Sequence, residues 1–231
     1  MADVTYNKNN MTIIVTGTED VQRALGDLAN KTPAAIKVTI NATAREARKL
    51  MIAKAKARYA VNAKGAPHLK ELVQRKKATN TSLNAELHIA TMRNDLGYFK
   101  YSPTGVFTGR NVLTSAPDVV VAKVLKASAL KPLSGDGSHS KGFVIEYASG
   151  HIGMGQRLLG SKSDRLTTVK NNLPRWKNAQ GNVEKVMTLG SPSATAMHKT
   201  IWPEVEPDVE EYIQSRLREQ VQKVLKRAGR I

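Results

Sequence analysis

The side chains that could bind a metal or catalyse a reaction are scattered along this sequence. Its five histidines lie far apart, and none forms an HExxH motif or a paired Cys/His arrangement, so the spacing predicts no zinc site. The absence of cysteine excludes disulfides and thiol nucleophiles. Acidic residues are too few in the middle of the chain for a two-metal carboxylate cluster. We therefore expect no catalytic residue, no metal and no cofactor.

Two segments resemble catalytic or phosphate-binding motifs only at first sight. Segment 155–163 has the glycines, lysine and serine of a phosphate-binding loop, but Ser161 separates the second glycine from the lysine and no apolar-periodic helix follows. A basic turn is the better interpretation. Segment 191–193 precedes His198, but it predicts a turn rather than part of a Ser-His-Asp set. An enzyme would need an essential acid, for example Glu86 or Glu146.

The charge balance is the most unusual property of the chain. Its 231 residues include 36 Lys and Arg against 19 Asp and Glu, a net charge of +17. Such an excess attracts polyanions, so we expect a polyphosphate or an acidic protein surface as a neighbour. Aromatic residues are only 5% of the chain, which limits any mechanism based on stacking bases. The chain shows no apolar run of about 18 residues and no export signal, and we expect a soluble protein that is not exported.

A long basic helix is predicted over residues 32–59, with Thr32 as its N-cap and Pro33 at its first position. Apolar and small residues recur at steps of three and four and should form one buried stripe. They are Ile36, Ile40, Ala44, Ala47, Met51 and Ala55. Basic residues fill the rest of this helix and the segment 75–77, and these are our candidates for a surface that faces DNA, another anion or a partner. The candidates are Arg45, Arg48, Lys49, Lys54, Arg58, Arg75, Lys76 and Lys77.

The rest of the pattern predicts one α+β domain over residues 1–231. An antiparallel sheet would pack against the long basic helix and a C-terminal helix, because short strands with turn residues lie between helical segments. We expect a flexible N-terminal arm over 1–10, a short helix over 19–29, and extended loops over 130–142 and 158–185. Pro207 should open the C-terminal helix, whose buried stripe would be Val209, Ile213, Leu217, Val221, Val224 and Ala228, and Gly229 should end it.

Strands are predicted where β-branched or alternating residues occur. Segment 72–78 should pair with 83–90 through a turn at 80–82, and 97–101 and 119–125 should form further strands. A hairpin should join 143–148 to 151–157 through Ser149 and Gly150.

Two motifs near this hairpin resemble the minor tail protein Z family of tailed bacteriophages, the tail-completion proteins. That family shows a long basic Ala-rich helix, a GHxGxxxR pattern and a GPS turn before a C-terminal helix. The first pattern is met by Gly150, His151, Gly153 and Arg157. The second is met by Gly190, Ser191, Pro192 and Ser193, with one inserted serine. The resemblance runs from about Val15 to the C-terminus. We expect these motif residues to form the fold or an interface, and expect His151 to bond to the main chain.

The resemblance implies a structural virion protein that completes the tail and joins it to the head. It would sit at the head-proximal end of the tail, in a homo-oligomeric ring around the DNA path, with six subunits as the expected number, after assembly in the host cytoplasm. Its partners would be the tail terminator or tail tube protein, the head-tail connector proteins and the viral DNA end, with no membrane. The alternative is a non-specific nucleic-acid-binding protein that acts outside a virion.

Overall fold

The computed structural model describes residues 2–7, 10–15, 18–89, 95–105, 119–146, 150–163 and 179–230. It has the predicted α+β class, with helices near both ends of the chain and three small antiparallel sheets. The chain divides into two compact units. The first unit is Met1–Ala57, Pro67–Met92 and Pro192–Ile231, and the second is Arg58–Ala66 and Arg93–Ser191. The single-domain organisation stays a prediction.

A four-stranded antiparallel sheet in the order β1-β2-β4-β3 belongs to the first unit. Its strands are β1 (Ala2–Asn7), β2 (Asn10–Val15), β3 (Leu72–Lys76) and β4 (Asn84–Ile89). Alternate residues of β2 and β4 are buried, among them Ile13 and Leu87, which is the period of two expected for a sheet with one covered face. The predicted pairing of β3 with β4 is confirmed, with a register shift between Gln74 and Lys76.

The predicted flexible arm over 1–10 is wrong for the residues that the structure describes. Ala2–Asn7 pairs along its whole length with β2, from Ala2 opposite Val15 to Asn7 opposite Asn10. The local sequence is polar and gives no strong strand signal. A strand forms there because the edge of β2 supplies main-chain hydrogen-bond partners, and those partners are not visible in the segment itself.

The long basic helix is present as α2 (Thr32–Arg58), and every residue of its predicted apolar stripe is fully buried. Its predicted N-cap is wrong. Helix α1 (Thr18–Leu25) leads into a 3₁₀ segment (Gly26–Lys31) that continues directly into α2. Thr32 therefore has helical backbone angles, its N–H bonds to the Ala29 carbonyl, and its buried hydroxyl has no partner among the described residues. An N-cap requires extended angles, so Thr32 does not cap the helix.

The C-terminal helix begins earlier than predicted. Helix α3 (Ala194–Arg227) starts after Ser193 and continues through Pro203 and Pro207. Burial of its first half, which includes Ile201 and Trp202, stabilises it across positions where proline removes a hydrogen bond. Of the predicted stripe, Val209 and Ile213 are buried, and the three positions from Leu217 to Val224 are only partly covered. Ala228 is exposed beyond the helix, and Gly229 ends it with a φ of 67° as predicted.

The second unit contains two three-stranded antiparallel sheets. One has the order β5-β6-β7, from β5 (Lys100–Ser102), β6 (Val121–Lys123) and β7 (Lys131–Pro132). The other has the order β10-β9-β8, from β8 (Phe143–Glu146), β9 (Ile152–Arg157) and β10 (Val186–Thr188). The predicted β8–β9 hairpin is confirmed, and Ser149 of its predicted turn lies outside the described residues. The strands predicted over 97–101 and 119–125 are shorter than expected; in the first of them, Leu96–Tyr98 forms a 3₁₀ turn instead.

The two predicted loops contain more regular structure than their sequences indicated. Strand β7 lies inside the loop predicted over 130–142. In the loop predicted over 158–185, Leu158 N–H bonds to the Lys185 carbonyl at 2.9 Å, and Ser163 N–H bonds to the Val183 carbonyl at 2.8 Å. The described ends of this loop therefore pair with each other, and residues 164–178 lie outside the described part of the chain.

Candidate functional site

The basic candidates on α2 do not form one surface. Arg45 and Lys49 are exposed and lie one helical turn apart, so they share a face. Lys54 is nine residues from Arg45, which places it on the opposite side of the helix, and Arg58 follows on that side. Lys54 Nζ lies 2.9 Å from a carboxylate oxygen of Glu204 on α3. The structure therefore brings together Arg45 and Lys49 and separates them from Lys54 and Arg58.

Arg48 holds α2 against strand β3. Its Nε donates a hydrogen bond to the Leu72 carbonyl at 2.6 Å, and an Nη donates to the Lys70 carbonyl at 3.2 Å. Asn41, seven residues earlier, accepts from Ala78 N–H and donates to the Ala78 carbonyl, both at 3.0 Å. These polar contacts satisfy main-chain groups at the sheet edge. The guanidinium of Arg48 thus has a structural use that its sequence position did not indicate.

The basic residues at the end of β3 are all exposed. Arg75 and Lys77 have exposed side chains, and Lys76 Nζ lies 3.8 Å from a carboxylate oxygen of Glu86 on the neighbouring strand. An exposed pair at this distance contributes little to stability. These residues therefore remain accessible to an anion, and their predicted role stays a prediction.

His151 of the GHxGxxxR pattern pairs with a buried carboxylate. Its Nε2 lies 2.7 Å from Oδ2 of Asp95, a residue only 2% exposed. The other carboxylate oxygen of Asp95 accepts hydrogen bonds from the N–H groups of Gly97 (2.7 Å) and Met154 (3.1 Å). The ring of Tyr98 lies against the imidazole, with centroids 5.0 Å apart. The sequence predicted a main-chain partner for His151 and did not identify Asp95, because 56 residues separate the two.

The glycines of the same pattern permit a turn and a close approach. Gly150 lies in the β8–β9 turn with a φ of 75°, a conformation that other residues rarely adopt. Gly153 lies against Gly97, and a Cβ built on Gly97 would be 2.7 Å from the Gly153 Cα. The close approach keeps the Leu96–Tyr98 turn beside β9. It places Asp95, which precedes the turn, within hydrogen-bond distance of His151 and Met154.

Arg157 completes the pattern at the end of β9. Its guanidinium lies over the ring of Phe143 on β8, 5.3 Å from the ring centroid. Burial lowers the pKa of Arg157, and the negative charge of Glu184 opposes that shift. Glu184 is 3% exposed and accepts a hydrogen bond from Gly160 N–H at 2.9 Å. All four residues of the first pattern therefore make a specific structural contribution in the β8–β9–β10 region, as a turn, a buried pair, a close approach or a contact with an aromatic ring.

The second pattern leads into helix α3. Gly190 and Pro192 are exposed, Ser191 is partly exposed, and Ser193 is the N-cap of the helix. The Ser193 hydroxyl accepts a hydrogen bond from Ala196 N–H at 3.0 Å. Extended backbone angles and a hydroxyl acceptor are the usual features of a helix N-terminus. The inserted serine of this pattern therefore precedes an ordinary helix cap.

A pocket of about 760 Å³ in the second unit was not predicted. Four lysines line it, together with Asn62 and Tyr101, and its lining also includes Ala60 and Phe99, which are 6% and 2% exposed. No Asp or Glu occurs among the described residues that line the pocket. The lysines are Lys64, Lys100, Lys123 and Lys126. They come from three separate segments, so no sequence spacing could have grouped them.

Tyr101 is the titratable aromatic residue of this pocket. Burial raises the pKa of its phenol, and the charge of Asp95 adds to that effect. The hydroxyl is therefore neutral at ordinary pH and can donate a hydrogen bond.

His198 on α3 is a second buried histidine that the sequence did not identify as unusual. It is 0% exposed, and neither ring nitrogen makes a hydrogen bond with another described residue. Burial lowers the pKa of His198 to about 4. The imidazole is therefore neutral at pH 7 and packs as part of the core.

The described residues contain no group of three or more His, Asp or Glu side chains that could hold a metal. None of the described helices combines the length and the apolar character that crossing a membrane requires. Comparison of the chain with protein-family models, with curated proteins and with solved structures returned no match.

Proposed function

We propose that this chain is a structural protein of a bacteriophage tail that completes the tail and joins it to the head. It would form a ring, hexameric by our proposal, around the DNA path at the head-proximal end of the tail. The observation that carries the proposal is the use of the GHxGxxxR residues. Gly150, His151, Gly153 and Arg157 each meet a separate requirement of one local structure. These four residues are also the ones on which the resemblance to the tail-completion proteins rests.

The charge distribution supports an anionic neighbour for such a ring. The second unit carries 16 of the 36 basic residues but only 6 of the 19 acidic ones. Identical subunits with this excess repel one another, so a ring of them requires negative charge from DNA or from an acidic protein surface. Arg45 and Lys49, exposed on one face of α2, are the best-placed candidates of the first unit for that contact.

The proposed partners are the tail terminator or tail tube protein, the head-tail connector proteins and the end of the viral DNA. The proposed location is the virion, after assembly in the host cytoplasm. We propose no reaction for this protein, because neither the exposed basic residues nor the buried polar contacts described above form a recognisable catalytic arrangement. Metal-dependent cleavage of DNA by the purified chain would contradict this.

The alternative function is non-specific nucleic-acid binding outside a virion. It uses the same excess of positive charge, but it predicts strong, salt-dependent binding of DNA or RNA by the isolated monomer. The tail-completion function predicts weak binding by the monomer and self-association at a tail end. The affinity of the monomer for nucleic acid and the oligomeric state at a tail end therefore distinguish the two functions. The excess of positive charge does not, because both functions use it.

Electron microscopy of tail tubes mixed with the purified chain tests the proposal. We expect a ring of density at one end of the tube and none along its length. The double variant Arg45→Gln/Lys49→Gln should reduce end binding, whereas Lys223→Gln/Lys226→Gln removes the same charge from exposed positions of α3 and should retain it. If the chain stays monomeric in the presence of tail tubes and the monomer binds duplex DNA tightly, the alternative function is supported instead.

A further inference from the structure

The lysine pocket of the second unit has the features of an anion-binding site. Four lysines line it, and no described carboxylate forms an ion pair with any of them. A concave surface with several positive charges and no negative lining residue concentrates anions. Its volume of about 760 Å³ lies within the range of small-molecule sites.

Two of these lysines are placed directly opposite each other. Strands β5 and β6 are antiparallel, and Lys100 is the cross-strand partner of Lys123. Cβ atoms at such positions are about 5 Å apart, and like charges directly opposite are destabilising. A bound anion between the two ammonium groups would remove this repulsion. The pairing is therefore unfavourable for the fold alone and favourable for a site that binds negative charge.

Lys123 is held in position by the main chain. Its Nζ donates hydrogen bonds to the carbonyls of Lys126 (2.8 Å) and Ser128 (3.1 Å). An ammonium group has three N–H donors, so one donor remains for a ligand. Fixing the side chain before binding reduces the entropy lost when the ligand binds.

The walls of the pocket are joined by hydrogen bonds. The Asn62 side chain donates to the carbonyls of Gly97 (2.7 Å) and Phe99 (2.9 Å) and accepts from Lys64 and Gly65 N–H groups. Main-chain bonds also join Lys100 N–H to the Ala60 carbonyl at 2.7 Å, and Ala60 N–H to the Val124 carbonyl at 2.8 Å. These bonds fix the lining segments of the pocket relative to one another.

The lining residues also determine the kind of anion. Ala60, Val61 and Phe99 make part of the wall apolar, and Tyr101 adds an aromatic ring with a hydroxyl group. An inorganic anion would use only the lysines. A ligand with a flat apolar ring and one or more phosphates would use both parts, because rings favour apolar walls and phosphates favour ammonium groups.

We propose that this pocket binds a nucleoside phosphate, with the phosphate at the Lys100 and Lys123 pair and the base against the apolar wall. The ligand could be a free nucleotide or the end of a nucleic-acid strand, since both present the same chemistry. The inference goes beyond the tail-completion function and does not depend on it.

Isothermal titration calorimetry of the full chain tests the proposal with three probes. They are ATP, sodium tripolyphosphate and a single-stranded pentanucleotide with a 5′-phosphate. We expect ATP or the pentanucleotide to bind, and the probe that binds identifies the source of the ligand. If neither binds at millimolar concentration, the proposal is wrong. Tripolyphosphate should bind more weakly than the nucleotide, and equal affinity would show that the apolar wall binds no base and would overturn the proposal.

Two double variants distinguish binding in the pocket from binding that follows the net charge of the protein. Lys64→Gln/Lys100→Gln changes two exposed side chains of the pocket, and we expect binding about tenfold weaker or more, because two charge-assisted contacts are lost. Lys131→Gln/Lys162→Gln removes the same charge from exposed positions of the second unit outside the pocket and should change the affinity less than about twofold. Equal weakening by both variants would overturn the proposal, since binding would then follow net charge.

Discussion

The imidazole of His151 lies 2.7 Å from the carboxylate of Asp95, and this contact joins the β8–β9 hairpin to the turn at Leu96–Tyr98. Asp95 is almost fully buried and also accepts two main-chain hydrogen bonds. A buried carboxylate is tolerated only when its oxygens are satisfied, and both oxygens of Asp95 have partners here. The local structure around the GHxGxxxR pattern therefore depends on a residue outside the pattern.

Substitution of Asp95 should destabilise the protein strongly. Asp95→Ala removes the carboxylate that accepts from the N–H groups of Gly97 and Met154 and lies beside the His151 ring, and we expect a loss of about 2–4 kcal/mol in the free energy of unfolding. Urea denaturation measures it. Glu146→Ala, at an exposed position of strand β8, is the control and should change stability by less than about 0.5 kcal/mol. If Asp95→Ala and Glu146→Ala were equally stable, the contacts of Asp95 would not contribute to the stability of the protein.

Substitution of Gly97 should show how closely the turn approaches β9. In Gly97→Ala the new Cβ would lie 2.7 Å from the Gly153 Cα and 2.9 Å from the Ile152 carbonyl oxygen, so the main chain must move. We expect the free energy of unfolding of Gly97→Ala to be lower by about 1–3 kcal/mol. Gly137→Ala is the matched control, because no atom lies within 4 Å of the place that its new Cβ would take. Thermal denaturation of the two variants tests this, and a Tm for Gly97→Ala equal to that of the control would contradict the close approach.

His198 should make stability fall as the solution becomes acidic. Its pKa is about 4 in the folded protein and 6.5 without burial, so below pH 6.5 the unfolded chain binds a proton that the folded chain does not. The contribution of neutral His198 to the free energy of unfolding is fully present above pH 6.5, the pKa of histidine in the unfolded chain. It is lost as the pH falls from 6.5 towards 4, the pKa in the folded protein. We expect His198 to contribute about 2 kcal/mol to the loss between about pH 7 and pH 5.

The variant His198→Leu isolates this contribution, because it keeps an apolar side chain in the core and removes the titrating group. The free energy of unfolding of wild type and variant should be compared at these two pH values. The decrease between them should be smaller in the variant by about 2 kcal/mol. The same decrease in both proteins would show that His198 is not the titrating group.

The pair of lysines on β5 and β6 should cost stability in the free protein. Lys100→Thr removes the like-charge partner of Lys123, and we expect a gain of about 0.2–1 kcal/mol at low salt. The gain should shrink as the salt concentration rises, because ions screen the repulsion. Lys131→Thr on β7 is the control, since its cross-strand partner is Ala122. A larger gain in the control would contradict repulsion between Lys100 and Lys123.

Arg45 and Arg48 should differ in what their substitution changes. Arg48→Gln should lower the free energy of unfolding by about 1–3 kcal/mol, because its hydrogen bonds to the carbonyls at Leu72 and Lys70 are lost or weakened. Arg45→Gln, at an exposed position, should leave stability nearly unchanged and reduce the affinity for an anionic partner. Chemical denaturation and binding to duplex DNA measure the two effects. If Arg48→Gln instead reduced the affinity for DNA and Arg45→Gln lowered the free energy of unfolding, Arg48 would be the anion-binding residue.

The features that the sequence predicted correctly are those fixed by neighbouring residues. The stripe of α2 repeats at three and four residues, so its burial follows from the pattern alone. The β3–β4 and β8–β9 hairpins are also local, because a short turn joins two segments with strand residues. The excess of positive charge is a property of composition and needs no structure.

Much of the candidate site depends on residues that meet only after folding. Nothing near His151 identifies Asp95 as its partner, and nothing near Lys100 identifies Lys123, because both contacts are made between distant segments. The same is true of β1, which needs the edge of β2, and of the first half of α3, whose burial stabilises the helix across two prolines. Local patterns therefore determined helix α2, the second half of α3 and the two hairpins. The tertiary structure decided which polar groups became buried partners and which charges came together, since burial and pairing depend on the whole chain.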